Sequence, residues 1–136
     1  MFDFTNSEFS EWKADLTEGE IELIDTRHQL GELSVTFFVH HKERAERSAF
    51  EMKVRPDWFC VFDDERQQTA LIRSAEASNV AVRMFEVLKS PLLASLRQAE
   101  PLFETGAPKA RHWVMLGLDA CCHIIAQQIP TFRKIF

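Results

Sequence analysis

The sequence predicts an α+β fold: a short N-terminal helix, an antiparallel meander of four or five strands, and C-terminal helices packed on one face of the sheet. Three observations predict it. Apolar and polar residues alternate through the middle of the chain, and the apolar spacing becomes helical on either side. The composition, 46% hydrophobic and 27% charged with only 4 Gly and 5 Pro, is that of a globular protein. At 136 residues, without repeat, linker or low-complexity stretch, the chain reads as a single globular domain covering 1–136. A domain of this size buries roughly two thirds of its unfolded surface and needs no metal or disulfide to hold it together.

The N-terminal helix is expected in "NSEFSEWKADL", with Ser7 as its cap and Phe9, Trp12 and Leu16 at helical spacing. The period then changes. "EIELID" and "ELSVTFFVHH" alternate, with Leu33, Val35, Phe37 and Val39 on one face, and Ser34, Thr36, Phe38 and His40 on the other. "RHQLG" supplies the turn between them. "SAFEMKV" repeats the pattern with Phe50, Met52 and Val54 inward, and the Pro-Asp turn of "RPDW" leads into "WFCVF". A weaker fifth strand is expected in "QTALIRS". One face of this sheet should be apolar and the other wet.

From Ser74 the spacing is helical again, with Ala81, Met84, Phe85, Leu88 and Leu92 in one stripe. Ser90 and Pro91 read as the cap and first residue of a new helix, and "PLFETGAP" as a loop. The last helix is expected from about Lys109 to Ile129. On it Val114, Met115, Leu118, Cys121, Cys122, Ile125 and Ile129 fall in a sector roughly 120° wide. Trp113, Gly117, Ala120 and Ile124 form a second apolar strip whose small residues admit a close neighbour. A helix apolar on two sides must be sandwiched, and a second copy of the chain is one way to do it. These four residues and Trp58, which follows the Pro-Asp turn, are therefore the candidate interface of a homodimer.

The residues with chemical potential are few. In "DACCHIIAQQIP" both Cys121 and Cys122 belong to the apolar stripe, where a thiol behaves as a small inert hydrophobe. His112, Asp119 and His123 share a polar edge, and a carboxylate beside an imidazole can orient it for acid-base work. This edge is the candidate site. Cys60, His40, His41, Cys122 and His123 supply metal-ligand residue types without the paired spacing of a zinc site, so no metal is expected. There is no G-x-S-x-G, Walker loop or G-x-G-x-x-G, and no cofactor is expected.

Residues 1–30 hold eight carboxylates against Lys13 and Arg27, which disfavours nucleic acid and favours a basic protein partner. No apolar run approaches the roughly 18 residues that cross a bilayer, and the N-terminus lacks the basic and apolar regions of a signal peptide. No membrane association and a cytoplasmic location are expected, with the three cysteines as free thiols. Twelve Phe and 3 Trp without a single Tyr suit a dry core. The C-terminal "PTFRKIF" either packs back on that core or docks on a partner. In size, acidity and lack of catalytic motifs the chain is similar to bacterial accessory proteins such as toxin-immunity proteins and secretion chaperones, a resemblance that implies protein binding. The expectation is a non-enzymatic protein-binding or accessory module, homodimeric or bound to a protein partner. The rival is a small-molecule or metal-dependent enzyme built on His112, Asp119 and His123.

Overall fold

Alternation in the middle of the chain becomes three long neighbouring strands, while the continuous apolar runs near the C-terminus also become strands. The computed structural model describes residues 3–4, 6–12, 20–40, 47–62, 65–77, 83–118 and 120–135. Its elements run β1 (Glu8–Glu11), β2 (Glu20–Gln29), β3 (Glu32–His40), β4 (Arg47–Val54), β5 (Trp58–Phe62), α1 (Glu65–Ala77), β6 (Met84–Leu88), α2 (Pro91–Ala99), α3 (Pro101–Gly106), β7 (Arg111–Leu116), β8 (Cys121–Ala126) and β9 (Thr131–Lys134).

The strands form two sheets, ordered β2-β3-β4-β9 and β1-β6-β7-β8-β5, with every neighbouring pair antiparallel. Leu30 and Gly31 join β2 to β3, both with positive φ, at 53° and 78°. Such a pair gives the tight turn whose twist matches the flanking strands. β9 adds to the edge of β4, pairing Phe132 with Met52, so the C-terminal segment packs on its own chain. In the first sheet Leu33, Val35, Phe37, Val39, Met52 and Val54 point inward, as the alternation predicts. They meet Met84, Trp113, Met115, Cys122 and Ile124 of the second sheet in one core. The opposite face of the first sheet is wet and carries ion pairs, with Glu51 between Lys53 and Arg133.

The second sheet is covered on both faces. Leu71 and Ala75 of α1 pack with Phe4, Phe9, Phe85, Val114 and Cys121, and Leu92 of α2 packs with Ala107, Ala110 and Ile125. The architecture is thus sheet on sheet, with helices on the outer side of one sheet. It is mainly β, with nine strands and three helices among the described residues.

Several expected elements differ. The N-terminal helix is instead β1, which pairs with β6; Phe9 packs edge-on against Phe85 at 5.2 Å, and Trp12 lies 5.1 Å from Trp113. "WFCVF" is a strand but leaves the meander to pair with β8 of the other sheet. "QTALIRS" lies within α1, and residues 101–106 form the short helix α3 rather than a loop. The stripe from Met84 to Leu88 is β6, and the expected last helix is the β7–β8 hairpin. The reason is common to β6, β7 and β8: both faces are buried, so the period-two alternation that marks a half-exposed strand is lost. Leu16 and Ala81, expected in helices, lie outside the described residues. Among the described residues no helix is long and apolar enough to cross a membrane.

Candidate functional site

The site is assembled where β6 ends and α2 begins. Lys89 takes a positive φ of 54° and turns the chain sharply, and Ser90 then caps α2 with its Oγ accepting the Leu93 N–H at 3.1 Å. Pro91 follows at the first helical position, where its lack of an N–H costs nothing. This part of the chain behaves as its sequence predicts.

What the cap touches is less foreseeable. Ser90 Oγ lies 2.7 Å from His112 Nδ1, and His112 Nε2 lies 2.8 Å from His123 Nδ1. His123 Nε2 in turn stands 3.4 Å from Cys121 Sγ, a sulfur contact of hydrogen-bond length. In the hairpin register His112 faces Ile125 and His123 faces Val114, so the two imidazoles are diagonal neighbours on the helix-covered face. The Phe4 ring closes over them, stacked on His123 with centroids 6.2 Å apart.

Both imidazoles are buried, at 0% and 2% exposure. Burial, helped by the neighbouring His123, pushes the His112 pKa well below 6.5, and burial alone pushes His123 down to about 4. Burial also raises the Cys121 thiol well above 9, with lesser contributions from Cys122 and Cys60. At neutral pH the chain Ser90–His112–His123–Cys121 is therefore uncharged throughout, each imidazole holding one proton.

Beside Ser90 a cavity of about 480 Å³ opens between the end of β6, the first turns of α2 and the start of β7. Its walls include Val87, Leu93, Ala94 and Ala110 as apolar surface and Lys89, Arg97 and Arg111 as cations. Two of these cations are already matched. Arg111 holds Glu86 through two bonds, Nε to Oε2 at 2.6 Å and Nη2 to Oε1 at 2.7 Å, and Lys89 Nζ donates to Glu8 at 2.7 Å. Arg97 makes no ion pair among the described residues, and its Nε is buried without a hydrogen-bond partner.

The structure thus brings His112 and His123 together, and Asp119 lies outside the described residues. They meet through strand pairing, not through turns of a helix. Of the expected interface residues, Trp113 and Ile124 are packed between the sheets and belong to the core. The residues of the first expected strip divide between the two faces of a hairpin, Val114 and Cys121 on the helix side and Met115 and Cys122 between the sheets, so the helix through which a homodimer was expected to form is not there. Gly117 sits in the hairpin turn, its N–H donating to Ala120 O at 2.8 Å, and Trp58 is half-buried against the Ile125 cluster. Among the described residues no three His, Cys, Asp or Glu side chains are grouped to hold a metal. His41 lies outside them. Ser90 and Arg97 were missed as site residues. Ser90 was legible as a cap, but nothing local marks its contact with a residue 22 positions away.

Comparison with family models, curated proteins and solved structures gives no match.

Proposed function

We propose that the chain is a non-enzymatic binding module whose cavity beneath α2 takes a small anion with an apolar body, an aromatic carboxylate or a phosphate monoester. The observation that carries this reading is Arg97, a cation of the cavity wall that makes no ion pair among the described residues and whose buried Nε has no hydrogen-bond partner. A buried N–H left unpaired costs on the order of 1–3 kcal/mol, and an oxyanion is the group that satisfies a guanidinium best. The cavity has the size of a metabolite site and combines apolar walls with a few polar groups.

Acyl transfer at Ser90 is the weaker reading. His112 has no exposed surface and both its nitrogens are bonded within the protein, so it reaches a ligand only through Ser90. The residue after Ser90 is Pro91, which has no N–H to offer an oxyanion.

Titration with benzoate and phenyl phosphate, followed by amide chemical shifts and calorimetry with benzyl alcohol as the neutral control, tests the proposal. Both anions should bind saturably and shift the Ser90 and Leu93 amides. Arg97→Met should weaken them about tenfold or more, the value of one charge-assisted hydrogen bond pair. Equal binding of benzyl alcohol, or full affinity in the Arg97→Met protein, rejects it.

A further inference from the structure

We infer that Ser90, His112, His123 and Cys121 form one hydrogen-bonded chain with two proton arrangements, and that an oxyanion in the cavity selects the arrangement in which Ser90 donates to it. The selection rests on the anion-binding cavity proposed above; the chain itself rests on three distances.

A separation of 2.8 Å between His112 Nε2 and His123 Nδ1 requires one hydrogen between them, neither two nor none. Each buried imidazole is neutral and has a single N–H, so the two rings must share a tautomer. In the first arrangement both hydrogens are on Nε2. His112 donates to His123, His123 points its N–H at Cys121 Sγ, and Ser90 donates its hydroxyl hydrogen to His112 Nδ1. Ser90 Oγ also accepts the Leu93 N–H, so only a lone pair is left toward the cavity.

In the second arrangement both ring hydrogens are on Nδ1. The Cys121 S–H donates to His123 Nε2, His123 donates to His112, and His112 donates to Ser90 Oγ. With His112 and Leu93 filling both lone pairs of Oγ, the hydroxyl hydrogen is released into the cavity. Both arrangements hold the same four protons, one each on Oγ, Sγ and the two rings, and neither carries net charge. They differ in what Ser90 shows to a ligand. A lone pair repels a carboxylate, and an O–H binds it. Cys121, three hydrogen bonds from Ser90 and four from the ligand, is a positioning residue: its S–H is the donor that completes the second arrangement.

Long-range proton–nitrogen correlation spectra of protein with ¹⁵N-labelled histidine read the tautomers directly. In the free protein His112 and His123 should share one tautomer, and saturation with benzoate should leave both as Nδ1–H. Cys121→Ala should weaken benzoate about three- to tenfold, while Cys121→Ser, which keeps a donor, should stay within about twofold of the parent. Unlike tautomers in the free protein overturn the chain. Saturable benzoate binding with the rings remaining Nε2–H overturns the selection and leaves the cavity proposal standing. Absence of saturable benzoate binding overturns the cavity proposal and the selection with it.

Discussion

His112 Nε2 and His123 Nδ1 lie 2.8 Å apart on neighbouring strands, inside a face of the sheet closed by Phe4 and the helices. A pair of imidazoles so placed stays hydrogen-bonded when neutral, and loses the contact when both rings are charged, because each facing nitrogen then carries a hydrogen. Burial depresses both pKa values, His112 well below 6.5 and His123 to about 4.

The sign of the resulting pH dependence follows. Below pH 6.5 the unfolded chain binds protons that the native state excludes, so stability is complete above 6.5 and is lost as pH falls toward 4. Each histidine contributes a slope of up to about 1.4 kcal/mol per pH unit in that window. Urea midpoints measured at pH 7.5, 6.5, 5.5 and 4.5 should be level between the first two and fall over the last two. A level profile down to 4.5 would mean that both imidazoles take up protons in the native protein as readily as in the unfolded chain.

Thiol labelling should discriminate the three cysteines. Cys121 and Cys122 are fully buried, with Cys121 raised well above 9 and Cys122 to about 12, while Cys60 is only half-buried. A maleimide at pH 8 should modify one thiol per chain in the folded protein and the other two only after denaturation, with peptide mass spectrometry assigning the first to Cys60. Rapid modification of Cys121 would place β8 at the surface.

The β2–β3 turn holds a leucine where the backbone asks for another residue. Leu30 has φ 53° and is 97% exposed, so its side chain gains nothing from packing and crowds its own backbone. Leu30→Asn should raise stability by about 0.5–1 kcal/mol, a melting-temperature increase of a few degrees, because Asn tolerates the left-handed region. Leu30→Val should lower it, and calorimetry of the two variants with the parent decides the point.

Gly117 is fixed by space. A Cβ there would stand 2.7 Å from Ala120 O and 3.0 Å from Leu23 Cγ, where the hairpin turn meets β2 at the Ile21–Gly117 bridge. Backbone cannot move aside as a side-chain tip can, so Gly117→Ala should cost about 1–3 kcal/mol in urea unfolding. A cost below about 0.5 kcal/mol would show the turn to be slack.

The candidate site was legible only in fragments. Ser90 and Pro91 announce a helix start whatever surrounds them, because capping is a contact between residues three apart. His112 and His123 stood out as the polar members of apolar runs, and they do meet. The helical geometry assumed for them was wrong, because an apolar run buried on both faces carries no periodicity to tell strand from helix. Cys121 and Cys122 show the difference most directly. On a helix they would share one stripe, whereas on β8 they point to opposite faces, Cys121 into the helix-side cluster and Cys122 into the core between the sheets. Both are buried for different reasons.

By itself the sequence determined the half-wet sheet, a turn within "RHQLG", which the structure narrows to Leu30 and Gly31, and the cap of α2, since each is set by contrasts between neighbours or by residues a few positions apart. Tertiary structure alone decided that β5 leaves the meander, that β1 and β9 close the sheet edges, and that a capping serine, two histidines and a thiol become one chain. Those outcomes depend on strand register and on which faces are covered, and contacts across 11 and 22 positions leave no local periodic trace in the order of residues.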